Sequence, residues 1–177
     1  MPTISAALAA LAQADFPLLI IGGNALQAYQ LARPTFDTDC MIAVEDKERL
    51  REVLAKSGFR WMGAFYSFQE FRFEGDMDTP PIHAMFVEPE TFEKLWARSV
   101  PHTYGGSQLR VPAIAHLIAL KLHALKNTPE RQGKDMRDII HLLELNPGVV
   151  SKEELRQLCT RYASAESIRQ LEVLHFL

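Results

Sequence analysis

The pattern of hydrophobic and polar positions along the chain changes near residue 110. Before that point, short apolar runs bounded by glycine, proline or charged residues alternate with amphipathic stretches, which predicts strands interleaved with helices. The predicted strands cover residues 18–21, 37–44, 59–73 (a hairpin or a sheet edge) and 82–87, and two further short strands flank a predicted turn at residues 104–107. From Pro112 onward, apolar residues recur at helical spacing, with breaks at residues 127–133 and 146–148. The sequence therefore predicts an α/β part followed by a helical part.

We expect residues 1–110 to form an α/β core and residues 111–177 to form a helical region packed on it, as one structural unit. The length of 177 residues is sufficient for one domain with a buried core. A hydrophobic share of 47% and a charged share of 23% are typical of globular proteins and exclude a disordered or fibrous chain. The net charge of −3 argues against a protein that binds nucleic acid through its overall charge.

Targeting and redox patterns indicate a cytoplasmic protein without a membrane partner. The N-terminus lacks the basic segment of a signal peptide, and no apolar run approaches the length of about 18 residues that a membrane helix needs. The two cysteines, Cys40 and Cys159, are too few for a disulfide scaffold, so a reducing compartment is expected.

The first pattern with chemical meaning is Gly22-Gly23, which follows a predicted strand and precedes a predicted helix. Glycines let the backbone approach a ligand closely, and the start of a helix carries partial positive charge, so this pattern is typical of an anion site. An ordinary strand-to-helix turn has the same pattern. Both interpretations stay open on these residues alone.

The second pattern is Asp37-x-Asp39 at the second predicted strand. Residues two apart on a strand point to the same face, so the two carboxylates are predicted to lie side by side. Two like charges repel unless a cation lies between them, and Mg²⁺ with the phosphates of a nucleoside triphosphate suits such a pair. A solvated strand end is the alternative.

The third pattern is Lys134-Asp135-x-x-Asp138 on a predicted helix. The spacing of Lys134 and Asp138 is that of an i, i+4 ion pair on a polar helix face. A second interpretation is that Asp138 is buried and pairs with Lys121 of the preceding helix.

Together these patterns resemble the nucleotidyltransferase fold of the DNA polymerase beta superfamily, and most closely its small AbiEii-like bacterial members of abortive-infection and toxin–antitoxin systems. The resemblance spans residues 16–145. It rests on four segments, which are IIGGNAL at 20–26, RPTFDTD at 33–39, VP with LIALKLHAL at 111–125 and KDMRDI at 134–139.

The resemblance implies a mixed sheet flanked by helices and a metal-dependent transfer of a nucleoside monophosphate from an NTP to an RNA or protein acceptor. A toxin-type protein with a cognate antitoxin or another partner protein is also implied. In that family, Asp37 and Asp39 correspond to catalytic ligands of Mg²⁺ or Mn²⁺. The implied nucleotide contacts are Gly22, Gly23, Asn24, Arg33, Lys121 and Lys134, and Asp135 and Asp138 are implied to be structural or to contact substrate.

The sequence departs from the family pattern on the strand at residues 82–87, where His83 stands at the position of a third metal-binding carboxylate. Histidine is a weaker match for Mg²⁺, which prefers oxygen ligands. A carboxylate from Glu74, Asp76 or Asp78 in the preceding segment is an alternative third ligand. The departure leaves a second interpretation, in which the chain is a catalytically silent nucleotide-binding or protein-interaction module that keeps the fold.

Overall fold

The computed structural model describes residues 4–65, 67–76, 78–128 and 132–177. The chain forms two compact units, and the segment after the Gly22-Gly23 turn belongs to the second one. The first unit consists of Met1–Ala25 and Arg33–Pro112, and the second of Leu26–Ala32 and Ala113–Leu177.

A five-stranded mixed sheet forms the centre of the first unit. Its strands are β1 (Leu19–Ile20), β2 (Thr38–Ala43), β3 (Phe59–Phe65), β4 (Phe68–Phe73) and β5 (Ile82–Val87). Their order is β1-β2-β5-β4-β3, in which β2 and β5 run parallel and all other neighbours are antiparallel. The strands β3 and β4 pair antiparallel and β3 lies at the sheet edge, in agreement with the hairpin or sheet edge predicted from the aromatic residues in this part of the sequence.

Helices and a second small sheet complete this unit. They are α1 (Ile4–Ala12), α2 (Gly22–Ala25), α3 (Lys47–Lys56), α4 (Pro89–Ala97), β6 (Val100–Tyr104) and β7 (Ser107–Val111). The helix α3 packs against β3 and α4 packs against β2, and apolar residues of the sheet strands β2 and β5, such as Ile42 and Ala84, are buried. The mixed α/β architecture with flanking helices confirms the predicted fold class.

The second unit is helical. It consists of the short 3₁₀ turn Leu26–Tyr29 and the helices α5 (Ile114–Asn127), α6 (Gln132–Leu145), α7 (Lys152–Tyr162) and α8 (Ala165–Val173). The helix α5 packs against both α6 and α7. Ser151 and Ser164 are the N-caps of α7 and α8, and each side chain accepts a hydrogen bond from a backbone N–H three residues later.

One boundary differs from the prediction in a way that matters for the site. The second strand begins at Thr38, whereas the sequence predicted Asp37 as its first residue. The backbone N–H of Thr38 donates to the carbonyl of Pro81, while the carboxylate of Asp37 accepts a hydrogen bond from the Thr35 hydroxyl. The backbone carbonyl of Asp37 accepts a hydrogen bond from the Asn24 side chain, and Asp37 lies in the connection before β2.

Within the described part of the chain, no helix combines the length and the apolar character needed to cross a membrane.

Candidate functional site

Asp37, Asp39 and His83 converge at the start of the two parallel strands in the first unit. Asp39 on β2 is the cross-strand partner of His83 on β5, and Asp37 directly precedes β2. The Nδ1 atom of His83 lies 3.3 Å from Oδ1 of Asp39 and 3.6 Å from Oδ2 of Asp37. Among the described residues, this is the only group of three histidine, cysteine or acidic side chains close enough to share a metal ion.

The loop before β2 is held in place by hydrogen bonds around Asp37. The Thr35 hydroxyl donates to Oδ1 of Asp37 over 2.6 Å and so orients the carboxylate. The buried Asn24 side chain donates from Nδ2 to the Asp37 carbonyl over 2.9 Å, which ties the loop to α2. Asn24, for which the family resemblance implies a nucleotide contact, therefore also positions the carboxylate loop.

Gly22 lies against the carboxylate of Asp39. Its φ is +62°, a left-handed conformation that glycine adopts without strain, and a Cβ there would stand 2.0 Å from Oδ2 of Asp39. A Cβ on the next glycine, Gly23, would lie 3.1 Å from Arg33 Nη1 and from the side chain of Thr35. The glycine pair thus allows the turn to pack closely against the loop that carries the two aspartates.

Gly22→Ala is expected to destabilise the protein by about 2–5 kcal/mol, because a left-handed alanine costs about 1–2 kcal/mol and the overlap with Asp39 adds about 1–3 kcal/mol. The free energy of unfolding, measured by urea denaturation, checks this. Gly106→Ala is the matched control, since Gly106 has φ +82° but a Cβ there meets nothing within 4 Å. Equal losses in the two variants would contradict the steric role of Gly22.

The imidazole of His83 is positively charged at neutral pH. Its side chain is only 14% exposed. Burial opposes the charge on the ring, but hydrogen bonds to Asp37 and Asp39 and the attraction of their negative charges outweigh burial and raise the pKa of His83 to about 9. In the absence of a bound cation, His83 therefore neutralises part of the charge of the two aspartates.

Because the pKa of His83 is higher in the folded than in the unfolded state, its contribution to stability is complete below about pH 6.5 and disappears as the pH rises through about 9. The shift corresponds to a contribution on the order of 3 kcal/mol. We expect the stability difference between the wild type and His83→Gln, measured with chelator present, to shrink from about pH 6 to about pH 10. A difference that stays constant over this range would contradict the ion pair.

Glu70 is a functional candidate that sequence reasoning missed. It lies on β4 as the cross-strand partner of His83, and its Oε2 is 3.6 Å from Nε2 of His83. Its Oε1 accepts a hydrogen bond from Nε of Arg72. The alternation of residues along β4 is a sequence signal for the face on which Glu70 lies, but its position opposite His83 depends on the register between β4 and β5.

The carboxylates of Glu74 and Asp76, two of the three acidic residues considered as a third metal ligand, take part in other interactions. Glu74 forms an ion pair with Arg60. Asp76 accepts hydrogen bonds from the backbone N–H groups of Asp78 and Thr79, which organises the turn before β5. None of the three acidic residues belongs to the three-ligand group among the described residues.

The remaining predicted contacts are distributed over both units. Arg33 is in the carboxylate loop, where Nη1 donates to the Pro34 carbonyl over 3.3 Å. Lys134 is exposed near the start of α6 in the helical unit.

Lys121, Asp135 and Asp138 form a buried ionic cluster in the helical unit. The ammonium of Lys121 donates to Oδ1 of Asp135 over 2.9 Å and to Oδ2 of Asp138 over 2.6 Å. All three residues are buried. Of the interpretations of the Lys134-Asp135-x-x-Asp138 pattern, the buried pairing of Asp138 with Lys121 is therefore the one that the structure contains.

No protein-family model matches the chain, and a search of curated proteins gives no match. Solved structures do match. A crystal structure of ANT(2'')-Ia in complex with adenylyl-2''-tobramycin is 18% identical, with a TM-score of 0.67 over 90% of this chain and 97% of that one. An antigenic nucleotidyltransferase-like protein from Paracoccidioides brasiliensis is 16% identical, with a TM-score of 0.59 over 96% of this chain and 90% of that one.

A third similar structure is the lincosamide antibiotic adenylyltransferase LnuA with lincomycin bound, 13% identical, with a TM-score of 0.51 over 73% of this chain and 87% of that one. Identities this low show the fold alone. The closer resemblance to AbiEii-like proteins stays a prediction from the sequence. The chain has the nucleotidyltransferase fold, as its sequence motifs predicted.

Proposed function

We propose that the protein transfers a nucleoside monophosphate from an NTP to an acceptor in a metal-dependent reaction. The observation that carries this proposal is the convergence of the Asp37 and Asp39 carboxylates beside the Gly22-Gly23 turn, in a chain with the nucleotidyltransferase fold. The turn offers close backbone approach to an anion, and the aspartates offer the negative charge that a divalent cation needs.

The donor atoms fit a divalent cation. Adjacent ligands on an octahedral ion with bonds of about 2.1 Å are separated by about 3 Å. The separations of 3.3 and 3.6 Å from His83 Nδ1 to the two carboxylates are close to that value. Asp37, Asp39 and His83 would hold Mg²⁺ or Mn²⁺, which supplies charge stabilisation to the attacked phosphorus and to the leaving pyrophosphate.

The chain's own residues bind and orient the nucleotide. We assign the β- and γ-phosphates to the backbone at Gly22 and Gly23. Arg33, next to that turn, contacts a phosphate or braces the loop. Asn24 and Thr35 act on the orientation of Asp37 through their hydrogen bonds.

The acceptor is an RNA, a protein or a small molecule with a hydroxyl group. The sequence resemblance favours the first two classes, in a toxin-type protein with a cognate antitoxin. The third class follows the similar structures, one holding adenylyl-2''-tobramycin and another lincomycin.

A second candidate function is a catalytically silent module that binds nucleotide or a partner protein. The observation that favours it is His83, an imidazole at the place of the third carboxylate, beside the two aspartates.

The test is to incubate the protein with each α-³²P-labelled NTP, with Mg²⁺ or Mn²⁺, and with RNA, protein extract or a panel of aminoglycosides and lincosamides. Transfer gives pyrophosphate release and label that is sensitive to nuclease, sensitive to protease or retained in a small molecule. Asp37→Asn/Asp39→Asn is the control. If nucleotide binds but no acceptor class gains label above that control, the silent-module interpretation replaces the transferase.

A further inference from the structure

We propose that Glu70 orients His83 as a nitrogen ligand, and that the site therefore favours a first-row transition ion such as Mn²⁺ over Mg²⁺. This inference rests on the metal site of the proposed function. It adds to that site a positioning residue, Glu70 on β4, and a preference for one kind of metal ion.

The two nitrogens of His83 face different groups. Nδ1 lies 3.3 Å from Oδ1 of Asp39 and 3.6 Å from Oδ2 of Asp37, and Nε2 lies 3.6 Å from Oε2 of Glu70. An imidazole that binds a metal through one nitrogen carries its hydrogen on the other, and a carboxylate that accepts this hydrogen fixes the tautomer. The arrangement of Glu70, His83 and the aspartates therefore has the order of a carboxylate–histidine–metal triad.

Glu70 is itself held in orientation. The Nε atom of Arg72 pairs with Oε1 of Glu70, and Oε2 is the oxygen that faces the ring of His83. The register between β4 and β5 places Glu70 directly opposite His83. Backbone pairing and the arginine together fix the carboxylate behind the ring.

Two aromatic side chains of the β3–β4 hairpin restrict the imidazole. The Phe65 ring meets the His83 ring edge-on, with centroids 5.0 Å apart, and the Phe68 ring does so at 6.4 Å. These contacts disfavour rotation of the ring, so Nδ1 stays on the side of the aspartates.

The nitrogen ligand determines the metal preference. Mg²⁺ takes oxygen ligands almost exclusively and loses its water reluctantly, whereas first-row transition ions accept imidazole. Replacing the third carboxylate by His83 lowers the negative charge of the ligand set and adds a softer donor. Both changes weaken the binding of Mg²⁺ more than the binding of Mn²⁺.

The experiment is pulsed electron paramagnetic resonance of the full chain loaded with Mn²⁺ alone, with affinities from Mn²⁺ titration and from Mg²⁺ competition. The variants are His83→Asp, which supplies a third carboxylate, and Glu70→Gln. Glu74→Gln is the matched control, because Glu74 pairs with Arg60 and lies outside the ligand group. Wild-type protein labelled with ¹⁵N-histidine tests the nitrogen ligand without any substitution.

We expect ¹⁴N coupling to Mn²⁺ in the wild type and ¹⁵N coupling in its place after labelling. The His83→Asp variant should lose the nitrogen coupling and should have a lower ratio of Mn²⁺ affinity to Mg²⁺ affinity. Glu70→Gln should keep the coupling and weaken Mn²⁺ binding by about 10–100-fold, with Glu74→Gln unchanged. A Mn²⁺ signal without nitrogen coupling, or wild-type affinity in Glu70→Gln, overturns the inference. If the protein transfers nucleotide but shows no nitrogen coupling, the proposed function stands and the inference about His83 fails. If it shows nitrogen coupling but transfers no nucleotide, the inference about His83 stands and the proposed function fails.

Discussion

Asp39→Asn is expected to reduce the rate of nucleotidyl transfer by at least about 10³-fold. Asp39 is the strand residue whose carboxylate faces His83 and packs against Gly22. Asparagine keeps the shape but removes the charge, and metal stabilisation of a phosphoryl transition state is worth several kcal/mol. The initial rate of pyrophosphate release measures the loss.

The matched control for this variant is Asp15→Asn. Asp15 is an exposed carboxylate that pairs with Arg49 over 2.7 Å, away from the three-ligand group. Its rate should stay at the wild-type value, since exposed ion pairs contribute little. Circular dichroism establishes that both variants are folded. A folded Asp39→Asn protein that retains most of the wild-type rate would show that this carboxylate is not a catalytic ligand.

Lys121→Met is expected to destabilise the protein by about 3–5 kcal/mol, because it removes the ammonium that donates hydrogen bonds to two buried carboxylates and neutralises part of their charge. Removing Lys121 leaves the charged carboxylates of Asp135 and Asp138 buried away from water, and methionine provides no positive charge to attract them. The free energy of unfolding from urea denaturation is the measurement.

Lys134→Met is the control for Lys121→Met. Lys134 belongs to the same helical unit but is exposed, so its replacement should change stability by less than about 0.5 kcal/mol. The sequence resemblance implied a nucleotide contact for both lysines. If Lys121→Met is as stable as the wild type and only nucleotide binding is weakened, the nucleotide role is correct and the structural role is wrong.

Local sequence patterns were sufficient for the centre of the site. The glycine pair and the aspartates lie in one stretch of the sequence, residues 22–39, and their types are restricted by backbone conformation and by charge, so their proximity could be predicted from the sequence. The apolar runs around them were sufficient to predict the strands of the sheet. The predicted start of β2 differs from the observed start by one residue.

The parts that the sequence could not supply depend on contacts between distant segments. Glu70 meets His83 because an antiparallel register between β4 and β5 places them opposite each other, and nothing local to residue 70 specifies that register. The burial of Lys121 depends in the same way on the packing of α5 against α6, where Asp135 and Asp138 lie. The helical pattern shows that Lys121 lies on α5, but the packing of α6 against α5 determines which residues pair with it.

The measurement that tests the central claim most directly is a thermal-shift series with each of the four NTPs, with and without Mg²⁺ or Mn²⁺. It compares the wild type with Asp37→Asn/Asp39→Asn. A ligand that binds only the native state at a hundredfold excess over Kd stabilises it by about 2.7 kcal/mol, which such a series detects. We predict a metal-dependent shift in the wild type that the double variant loses. The absence of a shift with any NTP at millimolar concentration would contradict a nucleotide site at Asp37 and Asp39.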